Sequence, residues 1–191
     1  MMLSIRRAEP TDAAALALVG AATFLESYSG VIDGGALVRH CVQKQTEPVY
    51  AAALADQKQA LWLAEAGPGA APVGYLHLAP PDLPVPTQAG DLEIKRIYVL
   101  DKLQRSGLGA KLLAACEDEA RERGAGRVLL GVYKGNAKAL GFYERVGFQT
   151  CGERTFDVGG TVYNDWVLEK RLCRRLEAPS PIRFFKVSAR R

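Results

Sequence analysis

The stretch that most constrains this chain is Leu92–Leu113, LEIKRIYVLDKLQRSGLGAKLL. A β-rich run, Leu92–Val99, enters a short polar loop. The loop closes on Gln104-Arg105-Ser106-Gly107-Leu108-Gly109, and a helical pattern follows at once. A helix start exposes backbone N–H groups that have no intrahelical acceptor, and with the helix dipole they attract phosphate oxygens. Glycine at 107 and 109 lets the chain turn and lets an anion approach without a Cβ in the way. The segment therefore reads as a holder for a phosphate-bearing ligand.

Three glycine-loop chemistries compete for it. A dinucleotide fingerprint needs a third glycine where this chain has Leu112, and no acidic residue ends the next strand to take a ribose. A nucleotide P-loop needs Gly-Lys-Ser/Thr, which the chain lacks. The surviving pattern is Gln-x-x-Gly-x-Gly between a strand and a helix. A second segment, Asn136–Phe148 (NAKALGFYERVGF), adds a helix with Asn at its cap and Gly147 at its end. Leu140, Tyr143 and Val146 recur at threes and make one face apolar.

In this order, joined by the strand Arg127–Tyr133, the two segments resemble the acetyl-CoA-binding elements of the GNAT N-acetyltransferase superfamily. The rest of the chain agrees in sequence of elements. A strand at 3–8 is expected, then a helix capped by Thr11 or Asp12 and broken by Ser29-Gly30. A helix near 33–44 and a short one opened by Pro48 follow. Strands 61–65 and 73–78 flank Gly67-Pro68-Gly69, and Ala79–Gly90, with four prolines, is a loop. After strand 92–99, helix 107–123, strand 127–133 and helix 136–146, two strands near 148–157 and 161–169 turn at Gly159-Gly160. The fold class expected is α/β (α+β) of GNAT type, a mixed central sheet of about seven strands with flanking helices, over residues 3–170. Residues 171–191 form a basic tail outside the resemblance.

The resemblance implies roles. Backbone N–H groups near Ile97, Tyr98 and Val99 should meet the acetyl carbonyl and the pantetheine arm. The diphosphate should rest on the loop Gln104, Arg105, Ser106, Gly107, Leu108, Gly109 and Ala110, with Asn136 as a further contact. Tyr143 should give a proton to the departing thiolate; an ordinary phenol, with a pKa of roughly 10, is protonated at neutral pH. Without the resemblance, Tyr143 reads as a core tyrosine on an apolar helix face. Glu93 is the base candidate, on the strand face that simple alternation shares with Lys95, Ile97 and Val99. It reads equally as a strand carboxylate paired with Lys95 or Arg96. The finer resemblance is to bacterial polyamine acetyltransferases of the PaiA type, carried by LEIKRIYVLDKLQRSGLGAKLL, LGVYKGNAKALGFYERVGF, the helix end Ala22–Tyr28 and the stretch Val162–Asp165. It implies a small cationic amine as acceptor, with Glu26, Tyr28, Glu93 and Asp165 as its contacts. Other acceptors within the family are a protein N-terminus, a lysine or an antibiotic amine. A non-catalytic acyl-CoA-binding module is the alternative outside enzymes.

Composition bounds these readings. The chain has 191 residues, 48% hydrophobic and 24% charged, which suits one domain with a full core. No apolar run approaches the roughly 20 residues of a membrane span, and the N-terminus lacks a signal-peptide pattern. Cys41, Cys116, Cys151 and Cys173 are far apart, and His40 and His77 are the two histidines. No metal site is expected, and isolated thiols suit a cytoplasmic protein. Residues 171–191 carry seven basic side chains and one acidic, +6; the whole chain is +4, so residues 1–170 sum to −2. A mildly acidic body tolerates a cationic acceptor, and the tail has no nucleic-acid motif. The family also leaves a homodimer open.

Overall fold

The computed structural model describes residues 2–158 and 161–172. The strands are β1 (Leu3–Arg7), β2 (Ala60–Ala66), β3 (Ala71–Ala79), β4 (Leu92–Val99), β5 (Arg127–Tyr133), β6 (Gln149–Val158) and β7 (Thr161–Arg171). The helices are α1 (Ala13–Tyr28), α2 (Gly34–Lys44), α3 (Glu47–Ala55), α4 (Leu108–Glu122) and α5 (Ala137–Arg145). One seven-stranded sheet runs β1-β2-β3-β4-β5-β7-β6. Every neighbouring pair is antiparallel except β4 and β5. The expected mixed sheet of seven strands is the one observed. The Gly159-Gly160 turn and the tail beyond Leu172 lie outside the described residues.

Period-two alternation explains the layering. In β2, Ala60, Trp62, Ala64 and Ala66 pack in one core with Leu108, Leu112, Leu113 and Cys116 of α4. Leu61 and Leu63 point the other way, into a core with Leu16 and Val19 of α1 and Tyr50 of α3. Both faces are covered, which is why β2 and β3 are buried almost throughout. In α1 the buried set Leu16, Val19, Gly20, Thr23, Phe24 follows helical spacing. Gly20 is needed there: a Cβ would lie 2.6 Å from both Gln45 Oε1 and the Tyr50 hydroxyl. The start of α1 is built differently from the simple cap expected. Asp12 ends a 3₁₀ turn, Pro10–Asp12, where its carboxylate accepts the Glu9 N–H (2.7 Å) and grips Arg6 in a fork (2.7 and 2.8 Å).

Two irregularities shape the centre of the sheet. The parallel strands β4 and β5 pair only at Leu92↔Val128 and Glu93↔Leu129, then part. β4 stays on β3 to Val99, and β5 stays on β7 to Tyr133. A wedge therefore opens between their C-terminal halves. The second irregularity is a bulge. His77 pairs with Arg96 but Leu78 pairs with Ile94, so Lys95 is an extra residue in β4.

Candidate active site

The bulge corrects the expectation that Glu93 shares a face with Ile97 and Val99. Leu92, Ile94, Ile97 and Val99 all face the α4 core, because Lys95 resets the alternation. Glu93, Lys95, Arg96 and Tyr98 line a cavity on the α1 face.

The wedge exposes backbone. Leu100 donates its N–H to Val73 (2.9 Å), so alternation along the β3–β4 ladder turns the Tyr98 N–H toward β3 as well. The N–H groups of Ile97 and Val99 point away from β3, into the wedge. Of the expected row of three donors, Tyr98 thus contributes its side chain rather than its amide. A cavity of about 870 Å³ follows the wedge and is bounded by both strands, the loop before α4 and the start of α5.

The loop before α4 matches its sequence reading closely. Gly107 caps the helix at φ 87°, the left-handed region, and Arg105 also has positive φ, 66°. Lys111 is the first helix residue to reach back, to the Gly107 carbonyl (3.0 Å). The N–H groups of Leu108, Gly109 and Ala110 therefore have no intrahelical acceptor, and the dipole adds partial positive charge there. Two loop residues serve the loop itself. The Ser106 N–H goes to Leu103 (3.3 Å), and Gln104 Nε2 donates to the Val99 carbonyl (3.2 Å), tying the loop to the end of β4. A Cβ on Gly109 would make only ordinary contact with the Phe142 ring, at 3.6 Å, so no packing within the chain demands glycine there.

At the cavity's other wall, Asn136 Oδ1 accepts the Ala139 N–H (3.0 Å) and caps α5. Lys138 Nζ meets Asp101 Oδ1 (2.7 Å) across the mouth. Tyr143, on the buried side of α5, stands edge-on to Phe142 and Phe148. Burial, and then the neighbouring Tyr28, push its phenol well above the ordinary range, so it stays protonated. Glu26, expected at the acceptor, borders this first cavity instead: its carboxylate accepts the Asp101 N–H (2.9 Å).

A second cavity, of about 750 Å³, lies on the α1 face. Tyr28, Lys95, Arg96, Tyr98 and Tyr133 border both cavities, so the two meet at the wedge. Burial raises the phenols of both Tyr28 and Tyr98 there. Glu93 and Asp165, the expected acceptor contacts, both line this cavity, and each is already engaged. Glu93 is 2% exposed; its Oε2 accepts the Asp82 N–H and the Lys95 ammonium, both at 2.7 Å. Asp165 accepts from Arg154 Nε (2.9 Å), and burial still raises its carboxyl.

Arg96, Gln45 and the two histidines of this cavity carry no motif and escape sequence reasoning. His77 Nε2 lies 2.6 Å from Gln59 Oε1; burial, then Arg96 and Lys95, lower it to about 3. His40 stacks on Phe24 at 4.1 Å and is lowered to about 4 by burial, then by Arg96 and Lys44. The adjacent cations Lys95-Arg96 within an apolar strand were a legible sign of broken alternation. Among the described residues no helix is long and apolar enough to cross a membrane. Cys41, Cys116 and Cys151 are free thiols.

In comparisons with known proteins, residues 32–148 match the model of the acetyltransferase (GNAT) family. An uncharacterized N-acetyltransferase of Mycobacterium tuberculosis (strain H37Rv) is 30% identical over 162 residues, 85% of this chain and 99% of the relative. Among solved structures, the PaiA N-acetyltransferase of Thermoplasma acidophilum in complex with coenzyme A superposes with a TM-score of 0.73. It is 19% identical and covers 90% of this chain and 99% of its own. The ribosomal-protein-S18-alanine N-acetyltransferase of Escherichia coli gives 0.61 at 19% identity, covering 92% and 97%. With the split sheet, the exposed helix start and these relatives in hand, the chain belongs to the acetyltransferase (GNAT) family and is an acetyl-CoA-dependent N-acetyltransferase.

Proposed function

We propose that residues 3–170 bring acetyl-CoA, held in the first cavity, against a small-molecule amine held in the second, with direct attack through the wedge. The meeting of two cavities at Tyr28 and Tyr98, where β4 and β5 part, carries this reading. Acetyl-CoA supplies an activated acyl group on sulfur. On this reading the free N–H groups of Leu108, Gly109 and Ala110, with Arg105, hold its diphosphate, and Asn136 borders the same channel. Ile97 and Val99 direct their amides at the acyl oxygen, where charge builds during attack. Tyr143 holds a proton for the leaving sulfur. Glu93 keeps Oε1 for the amine's proton, since Oε2 is taken by Asp82 and Lys95. The thiols of Cys41, Cys116 and Cys151 suit a reducing cytoplasm.

The polyamine reading rests on the resemblance of the sequence to the PaiA type. A polyamine would have to draw Glu93 from Lys95 and Asp165 from Arg154, and separating partly buried ion pairs is costly. The geometry therefore favours an acceptor with one reacting amine over a chain of ammonium groups. Incubating pure protein with acetyl-CoA and an amine panel that includes spermidine should release free thiol with at least one acceptor, identified by mass spectrometry of the product. Confirmed acetyl-CoA binding with no thiol release across the panel overturns the proposal.

A further inference from the structure

Among the described residues, one of the basic side chains that line the second cavity, Arg96, has no carboxylate partner. Lys95 is paired with Glu93 and Arg154 with Asp165. Among the described residues, no carboxylate lies within ion-pair distance of Arg96. Its guanidinium stands over the Tyr50 ring (5.7 Å to the centroid), and one nitrogen makes a long contact with His77 Nδ1 (3.4 Å). Its charge reaches far: it contributes to holding both His40 and His77 neutral.

At the hydroxyl of the same tyrosine stands Gln45, which lines this cavity too. Gln45 is 5% exposed, its Oε1 accepts the Tyr50 hydroxyl (2.5 Å), and its Nε2 has no partner among the described residues. A half-buried guanidinium without a carboxylate and a buried amide nitrogen without an acceptor can both be met by carboxylate oxygens. A guanidinium fork matches a planar carboxylate in particular.

We infer that Arg96, supported by the Gln45 amide, forms a carboxylate subsite in the acceptor cavity, and that the acceptor is a compact amine bearing a carboxylate, of the α-amino acid class. This rests on the transferase reading above and narrows its substrate. Arg96 and Tyr98 are two residues apart on one strand, about 7 Å. Both residues border the meeting of the two cavities, so a compact acceptor anchored at Arg96 reaches the wedge. Glu93 and Asp165 do not repel the anion, because Lys95 and Arg154 neutralise them.

The test compares matched pairs: α-amino acids, and the amines left when the carboxyl group is removed, with spermidine alongside. The wild-type protein should acetylate at least one amino acid with kcat/KM tenfold or more above its matched amine. Arg96→Met should bring that ratio close to one, chiefly by raising KM for the amino acid. Arg96→Lys, which keeps charge and stem but loses the fork, should fall between. Gln45→Met should lower the ratio severalfold with acetyl-CoA affinity retained, and should also lower the melting temperature, because the buried Tyr50 hydroxyl loses its acceptor. Matched amines or spermidine outrunning every amino acid would sink the subsite and leave the transferase reading standing. An unchanged ratio in a folded Arg96→Lys or Arg96→Met protein would sink it too. No thiol release with any acceptor, despite acetyl-CoA binding, removes both.

Discussion

Tyr143 shows how much one side chain's surroundings decide. On an exposed helix face its phenol would titrate near 10; here burial among Phe142, Phe148 and Tyr28 pushes it well higher. The proton is retained across the working pH range, which is what a donor to a leaving thiolate needs. Removing only the hydroxyl, Tyr143→Phe, should lower kcat by about 10² or more, in the range of general acid contributions. KM for acetyl-CoA and the melting temperature should hardly change, and steady-state kinetics with a melting curve checks both. A kcat within threefold of wild type would reduce Tyr143 to a packing residue. The helix spacing that put Tyr143 inside was legible in sequence; its closeness to Tyr28, 115 positions earlier, was not. Glu93 shows the same limit. Its pairing with Lys95 was foreseeable as one of two readings, while the Asp82 amide on the same oxygen comes from a proline-rich loop with no local signal.

At the scale of elements, the β4–loop–α4 unit carries its geometry in its own residues. Gly107 at φ 87° and the unpaired N–H groups after it follow from local backbone rules. Gly109 separates folding from binding. Since a Cβ there meets Phe142 at a comfortable 3.6 Å, Gly109→Ala should fold normally, with helix propensity adding up to about 1 kcal/mol. If the diphosphate approaches that turn, the methyl group should weaken acetyl-CoA binding tenfold or more. Calorimetric titration with a thermal melt tests this, and unchanged affinity would mean the diphosphate lies elsewhere. β4 itself was only half legible. Its strand character was plain, but the extra residue Lys95 arises from pairing with β3, and it moved Ile97 and Val99 to the face opposite Glu93.

Over the whole molecule, burial of the histidines sets a pH dependence. His77 is 6% exposed and its folded pKa is lowered to about 3, below the ordinary 6.5. The unfolded chain therefore binds a proton that the folded one refuses. The stabilisation is full above about 6.5 and is lost as pH falls toward 3, by up to about 1.4 kcal/mol per unit. His40, lowered to about 4, acts with the same sign over a narrower range. Denaturant titrations from pH 7 to 4 should show declining stability, and His77→Gln should flatten the decline. A wild-type profile flat across that range contradicts a neutral, buried His77.

The sequence alone determined the order of elements, the glycine turn before α4 and the capped α5. Each depends on residues adjacent in the chain, through backbone rules and apolar periodicity. The tertiary structure decided where β4 and β5 part, which face of the bulged strand Glu93 occupies, and that Lys95 pairs with Glu93 and Arg154 with Asp165 while Arg96, among the described residues, has no carboxylate partner. Those are properties of pairing between distant strands and of charges brought together by the fold. Local spacing carries no record of them, because a side chain's electrostatic partners are set by distance in space, not by position along the chain.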